Sequence, residues 1–152
     1  MADLADMRAR IFAAKAADSV WQAKIGPGHL QDIDLLAQSF ALRAASPARG
    51  TAAQLRVGPR AGLISREDAE TLASARRFLW SLQSATRLLT ERPLDMDHVG
   101  RGGQAFLLRE TGSETLDALA EQLRTATTAA GAIIDKALAG TERPKPADQT
   151  GA

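Results

Sequence analysis

Residues 65–91, SREDAETLASARRFLWSLQSATRLLTE, decide the fold class of this chain. The stretch begins with a capping signal, because the Ser65 hydroxyl can accept a hydrogen bond from the first turn while Asp68 reaches back to it. A mostly apolar seam then recurs in alternating steps of three and four residues, at Leu72, Ala75, Leu79, Leu82, Thr86 and Leu89. Pro93 ends the run. The stretch therefore predicts one long amphipathic helix that reaches about Glu91.

Helical spacing also organises the chain on both sides of this helix. It predicts further helices over about 3–17, 30–45, 51–56, 104–110 and 114–139. We expect the Gly58-Pro59 pair to break or kink the third of the predicted helices and Gly62 to stop it. Residues 92–100 are predicted to form a loop, and Ser113 is predicted to cap the last helix.

The composition agrees with a helical domain. Of the 152 residues, 45% are hydrophobic but only 4% are aromatic, and alanine and leucine supply most of the apolar content. We therefore predict an all-α fold, an up-and-down helical bundle of four to five helices over residues 1–140, followed by a disordered tail over 141–152. The two tryptophans, Trp21 and Trp80, are expected to anchor the core.

Net charge, cysteine content and hydropathy narrow the class of function. A net charge of +1 gives no global field that would select nucleic acid or membrane. The chain has no cysteine, which excludes disulfides and thiolate chemistry. No apolar run approaches the roughly 20 residues that span a bilayer, and the N-terminus lacks the apolar core of a signal peptide. We expect a cytoplasmic protein with no membrane association and disfavour nucleic acid as a partner.

Catalytic and metal-binding patterns are sparse. The two histidines, His29 and His98, have no further ligand at helical spacing, so no metal site is predicted. Neither a P-loop nor a nucleophile-elbow pattern occurs. Asp95-Met96-Asp97 has no flanking strand, which favours a solvated loop that caps a helix over a pair of magnesium ligands. No catalytic residue is predicted.

The segment Lys24–Asp34, KIGPGHLQDID, carries the strongest functional signal. Gly26 and Gly28 permit a tight turn directly ahead of a helix, whose N–H groups and dipole attract phosphate or carboxylate, and Lys24 adds a cation beside them. The alternative is a plain entry turn, in which Asp32 stabilises the helix dipole and Lys24 is an ordinary surface lysine. The spacing of the residues leaves both interpretations open.

A second candidate site is a run of cations. No acid lies between Asp34 and Glu67, whereas that span holds Arg43, Arg49, Arg56, Arg60 and Arg66. Such a basic face can meet phosphates or an acidic protein, although solvated surface arginines are the commoner arrangement. The absence of interleaved aromatic residues argues against single-stranded nucleic acid. The candidate partner-binding residues are Arg43, Arg49, Arg56 and Arg60.

The Lys24–Asp34 segment resembles a family signature, Lys-x-Gly-x-Gly-Gly-Leu-Arg-Asp-Ile-Glu. The signature belongs to the helical domain that follows the nucleotidyltransferase domain in glutamine synthetase adenylyltransferases, and PII uridylyltransferases have a related form. The likeness covers about residues 5–138 in matching order and spacing, including Met7-Arg8-x-Arg10 before the segment and Ala61-Gly62-Leu63-Ile64 after it. Three positions depart from the signature, since its second paired glycine, its arginine and its glutamate are here His29, Gln31 and Asp34.

The resemblance implies the non-catalytic helical domain of a longer enzyme, which transfers AMP from ATP to a tyrosine of glutamine synthetase with Mg²⁺. The helical start at residue 1 fits an excised or separately encoded domain. This chain would bind no cofactor alone, would pack on the nucleotidyltransferase catalytic domain and would line the cleft for nucleotide or for the protein substrate, glutamine synthetase.

The resemblance also implies roles for single residues of the segment. Lys24 would supply charge to phosphates, Gly26 and Gly28 would allow close backbone approach, and Asp32 would fix the helix start or orient Lys24. The alternative, which the departures at positions 29 and 31 favour, is a stand-alone protein-interaction module with no nucleotide chemistry.

Overall fold

A computed structural model describes residues 2–14 and 19–140 of the chain. These residues form six α-helices: α1 (Ala2–Ala14), α2 (Leu30–Arg43), α3 (Thr51–Arg60), α4 (Arg66–Leu89), α5 (Met96–Thr111) and α6 (Leu116–Ala139). The described residues contain no strand, so the all-α prediction is confirmed, with six helices instead of four to five. The predicted helical residues 15–17 and the predicted tail 141–152 lie outside the described residues. Within the described ranges, no helix combines the length and apolar character needed to cross a membrane.

The long helix predicted from residues 65–91 is the central element of the bundle. This helix, α4, packs against α2, α3, α5 and α6. Ser65 caps it as predicted, because its hydroxyl accepts a hydrogen bond from the Asp68 N–H at 3.0 Å. Each fully buried leucine of its seam stabilises the fold by about 1.5–3 kcal/mol. The buried core comprises these α4 residues and side chains from its neighbours, among them Leu72, Leu79, Leu82, Ile33, Phe40, Leu55, Leu107, Leu119 and Ile134.

The two tryptophans differ in burial. Trp21 is partly buried and packs against the core. Trp80 is 54% exposed, so the prediction that it anchors the core is wrong. It follows the buried Leu79 directly, and one residue turns an α-helix by about 100°, which carries the indole out of the seam. Outside the core, the indole contacts the Arg76 guanidinium, whose carbon lies 5.6 Å from the ring centroid.

The expected break at Gly58-Pro59 does not occur. Both residues lie inside α3, which continues to Arg60. Proline this close to a helix C-terminus removes one backbone hydrogen bond, and little helix remains beyond it to be disrupted. Gly58 is buried against α2, where an added Cβ would lie 2.9 Å from the Phe40 ring. Gly62, at φ +69°, closes the helix as predicted, through hydrogen bonds from its own N–H and from the Leu63 N–H to the last turn.

The segment predicted as the loop 92–100 is partly helical. Asp95 caps α5, since its Oδ1 accepts a hydrogen bond from the Asp97 N–H at 3.0 Å, and residues 96–99 form the first turn. This confirms the capping role and corrects the loop prediction. Gly100, at φ +67°, kinks α5 behind that turn, which explains why the helical spacing becomes visible in the sequence only near residue 104.

The last helix has a different cap from the one predicted. Thr115, rather than Ser113, caps α6, because its hydroxyl accepts a hydrogen bond from the Ala118 N–H. Ser113 lies in the short connection that follows Gly112, which ends α5 in the left-handed conformation. The helix itself ends before Gly140, as predicted.

Candidate functional site

The bend ahead of α2 satisfies its backbone groups internally. The two glycines of the bend have positive φ, +146° at Gly26 and +73° at Gly28. The Leu30 N–H donates to the Ala23 carbonyl at 3.1 Å, and the Gln31 N–H donates to the Lys24 carbonyl at 2.9 Å. These are the first two N–H groups of α2, which are among the groups that a bound anion would use at a helix N-terminus. Here the preceding chain takes them.

Asp32 supplies an internal anion to the same bend. Its carboxylate is almost fully buried and accepts a hydrogen bond from the Gly28 N–H at 2.8 Å. Arg8 of α1 donates to both carboxylate oxygens, from Nε at 2.6 Å and from Nη2 at 2.9 Å. This two-bond geometry is the strong arrangement for an arginine and a carboxylate. Of the two predicted roles for Asp32, fixing the helix start matches these contacts.

Arg8 joins three helices through its guanidinium. Besides Asp32, its Nη1 donates to Asp135 of α6 at 2.8 Å. Burial lowers the pKa of Arg8, but the hydrogen bonds and the charges of the two carboxylates outweigh it and raise the pKa above its usual value. The side chain of Asp32 is 1% exposed and that of Asp135 is 67% exposed. Asp32 is therefore the carboxylate that depends on Arg8 to balance its charge, because water does not reach it.

Gly28 permits the bend to lie directly against α6. An added Cβ at this position would lie 2.0 Å from the Thr127 carbonyl oxygen and 2.5 Å from the Gly131 nitrogen. Both atoms belong to the α6 backbone and cannot move aside. Gly28 thus allows the bend to approach α6, a helix of the same bundle.

Asp34 faces the other side of α2. Two residues along a helix turn the side chain by about 200°, so Asp34 and Asp32 project in nearly opposite directions. The Oδ1 atom of Asp34 accepts hydrogen bonds from Arg76 Nε of α4 and from the Thr51 hydroxyl of α3, each at 2.9 Å. The two acids of the segment therefore connect α2 to α1 and α6 on one side and to α3 and α4 on the other.

The partners of these two acids were not found from the sequence. Arg8 appeared only as part of the resemblance, and Arg76, Thr51 and Asp135 did not appear at all. The bonded pairs lie 17 to 127 residues apart along the chain, so no local spacing could have indicated them.

Lys24 and Gly26 form the outer edge of the bend. Lys24 is exposed, and in residues 4–13 and 19–140 no carboxylate pairs with its ammonium group. Gly26 is half-buried beneath the His29 ring, whose Nδ1 lies 3.0 Å from the Pro27 carbonyl oxygen. The four predicted phosphate-facing residues are thus divided: Lys24 is exposed, Gly26 is half-buried under His29, and Gly28 and Asp32 are buried against the bundle. Their contact with a nucleotide stays a prediction.

The candidate partner-binding arginines are all solvent-exposed: Arg43, Arg49, Arg56 and Arg60. Within the described ranges none of them forms an ion pair with a carboxylate. Arg56 and Arg60 lie one turn apart on α3, Arg43 is the last residue of α2, and Arg49 lies in the connection between the two helices. Their role in binding a partner stays a prediction.

The described residues contain no group of three or more histidine, cysteine or carboxylate side chains that could hold a metal ion. His98 is exposed near the start of α5, and His29 covers the bend.

Comparison with known proteins places these features in a family context. The model of the GlnD PII-uridylyltransferase family matches residues 5–137. The bifunctional glutamine synthetase adenylyltransferase/adenylyl-removing enzyme of Rhodopseudomonas palustris (strain TIE-1) is 28% identical over 143 residues, which is 91% of this chain and 14% of that protein. The protein of the same name from Bradyrhizobium sp. (strain BTAi1 / ATCC BAA-1182) is 32% identical over 127 residues, 80% of this chain and 13% of its own length.

The chain spans about a seventh of the length of these relatives. No solved structure matches it significantly.

Proposed function

The chain belongs to the GlnD PII-uridylyltransferase family, and from this premise we propose that it acts as a non-catalytic helical domain of a glutamine synthetase adenylyltransferase-like nucleotidyltransferase. In this role it packs against a catalytic domain and lines the cleft for nucleotide or protein substrate. Support comes from the family match over residues 5–137 and from relatives whose names describe adenylyl transfer to glutamine synthetase.

The observation that carries the proposal is an exposed lysine, with no carboxylate partner among the described residues, on a bend that is fixed from behind. The Asp32 carboxylate and the close packing of Gly28 on α6 hold the backbone of the bend in one position. Lys24 projects from the outer edge, where its charge is available to phosphate groups bound by a neighbouring domain. Gly28 and Asp32 then support the bend, and Lys24 and Gly26 face the cleft.

We assign ATP and Mg²⁺ to the catalytic domain and no cofactor to this chain alone. The described residues offer no cluster of ligands that fits a divalent ion, whereas phosphoryl transfer requires carboxylates on the metal. The same proposal includes glutamine synthetase as the partner and a cytoplasmic location, and it leaves catalysis to the neighbouring domain.

The test is Lys24→Ala in the longest polypeptide that the gene encodes. We expect the rate of AMP transfer to glutamine synthetase to fall by about tenfold, which corresponds to one lost charge-assisted contact to phosphate. Lys136→Ala, an exposed lysine of α6, is the matched control and is expected to leave the rate unchanged. Equal rates for Lys24→Ala and the unmodified protein would remove Lys24 from the site. The isolated chain is expected to show no transfer.

A second candidate function is a stand-alone interaction module, which is favoured by four exposed arginines that form no ion pair within the part of the chain that the structure describes. In that case the arginine side chains bind an acidic protein surface and the bend is purely structural. Replacement of Arg43, Arg49, Arg56 and Arg60 by Gln would then abolish binding to glutamine synthetase, while the same change at Arg87, Arg92 and Arg101 would not. Titration of the longest polypeptide that the gene encodes with ATP and Mg²⁺, followed by NMR, separates the two candidates. Within this helical domain, only the first predicts shifts, and it confines them to residues 24–34.

A further inference from the structure

An open groove between α4 and α6 has no part in the function proposed above. Its volume is about 690 Å³, and it runs along residues 67–78 of α4 and 118–129 of α6. Because an α-helix rises 1.5 Å per residue, each wall is about 16 Å long, which equals three helical turns. The groove therefore has the length of a short helix laid between two others.

The groove combines an apolar floor with an acidic rim. Phe78, which also packs against the core, forms the floor together with the small side chains Ala75, Ala126 and Ala129. Glutamates stand at the rim on both walls: Glu67 and Glu70 on α4 and Glu121 on α6. Glu121 pairs with Arg124 of its own helix. In the described part of the chain no cation pairs with the other two.

We propose that this groove binds an amphipathic helix of a separate protein, one whose apolar stripe is flanked by lysine or arginine. The apolar stripe fills the floor, and the flanking cations meet the glutamates, so that charge complementarity selects this occupant over an acidic helix. The occupant does not come from this chain's own described helices, because α2 to α6 build the bundle and Arg8 ties α1 to it. Residues 141–152 lack a suitable stripe, with only Ala147 and Ala152 as apolar residues besides two prolines.

The direct test is a titration of the isotope-labelled chain with a synthetic three-turn peptide, followed by NMR. The probe carries leucine at positions i, i+3, i+4 and i+7 and lysine on both sides of that stripe. We expect chemical-shift changes at residues 67–78 and 118–129. Shifts confined to other surfaces, no shifts at all, or equal binding of a scrambled peptide with the same composition would each overturn the proposal.

Charge reversal at the rim provides an independent check. Glu70→Lys combined with Glu121→Lys is expected to weaken peptide binding by about tenfold or more, since both sites are exposed and the change inverts the complementarity. Glu91→Lys combined with Glu110→Lys, at exposed sites outside the groove, is the matched control and is expected to bind as the unmodified chain does. Equal weakening in both double variants would show that the binding is non-specific and would contradict the proposal.

A steric variant and a self-association measurement complete the test. Thr125→Trp fills the groove from its exposed α6 wall and is expected to abolish peptide binding while the helical circular dichroism spectrum is retained. Unchanged binding in this variant would place the peptide elsewhere.

Sedimentation of the chain without peptide is expected to show a monomer. A dimer that Thr125→Trp dissociates would make a second copy the occupant and would overturn the proposal.

Discussion

Asp32 supplies, from within the molecule, the negative charge at the bend ahead of α2. The sequence correctly places a turn and a helix N-terminus here, and the attraction of such an N-terminus for negative charge is general. Two observations decide which anion is bound at this bend: the carboxylate of Asp32 accepts the Gly28 N–H, and Arg8 neutralises it. The part of the segment that stays exposed to solvent with a free charge to offer is consequently its outer edge at Lys24.

The buried ion pair gives a prediction about stability. Arg8→Met keeps the apolar stem of the side chain and leaves the Asp32 carboxylate buried without its counter-charge. We expect the free energy of unfolding in urea to fall by about 3–5 kcal/mol. Asp135→Asn removes the exposed partner of the same arginine and is expected to cost less than about 1 kcal/mol. Similar losses for the two variants would show that burial does not distinguish the two carboxylates.

Gly28 gives a second prediction at the scale of one residue. Gly28→Ala combines a positive φ with a Cβ placed 2.0 Å from the Thr127 carbonyl oxygen, so we expect a loss of about 3 kcal/mol or more in the free energy of unfolding. Gly112→Ala has nearly the same φ, +70°, but open space around the new Cβ. It is expected to cost about 1 kcal/mol, from backbone strain alone. Equal costs, measured by thermal or urea unfolding, would mean that the contact with α6 adjusts freely.

At the scale of the element, α3 and α5 show where local sequence signals mislead. Gly58 and Pro59 are both poor helix residues, yet α3 contains them because Gly58 lets the helix approach the Phe40 ring of α2. In α5, Gly100 interrupts the helical φ and ψ angles, so the sequence pattern reveals only the part that follows it. Tertiary packing overrides propensity in the first case, and a single glycine hides a helical turn in the second.

Glycine-to-alanine changes in these two helices are predicted to have opposite signs. Alanine favours a helix over glycine by about 0.5–1 kcal/mol. Gly102→Ala in α5, where nothing lies within 4 Å of the new Cβ, is expected to raise the free energy of unfolding by about 0.5 kcal/mol. Gly58→Ala is expected to lower it by about 1 kcal/mol or more, because the methyl group crowds Phe40 and Ile64. A stabilised Gly58→Ala variant would show that α3 and α2 separate without cost.

At the scale of the whole molecule, the sequence predicts the helical class, most helix positions and the apolar seams. Those features follow from spacing along one helix, as in Leu72, Leu79 and Leu82, and need no knowledge of what the helix packs against. The exposure of Trp80 and the partners of Asp32 and Asp34 depend on how distant helices meet, which spacing does not encode. The bend was therefore recognised as important, while the side chains that hold it were found only in the structure.

The Arg8–Asp135 contact brings the first and last helices together, which predicts tolerance of circular permutation. A glycine/serine linker of about eight residues can join Gly140 to Leu4, since each lies within about 8 Å of the contact along its helix. New ends between Pro47 and Ala48, in the exposed connection before α3, are expected to leave the circular dichroism spectrum and the thermal midpoint close to those of the unmodified chain. New ends between Leu79 and Trp80, inside α4, are expected to prevent folding. If the first permutant did not fold, Leu4 and Gly140 would not lie close together in solution.

The guanidinium that lies over Trp80 gives the molecule an optical reporter of its own. Asp34 holds Arg76 in that position, so any event that withdraws Asp34 also changes the electrostatic surroundings of the indole. Indole fluorescence responds to a nearby cation, and with Trp21 replaced by Phe the emission would come from position 80 alone. Rearrangement of α2 against α4 could then be followed by its emission spectrum, without any attached dye.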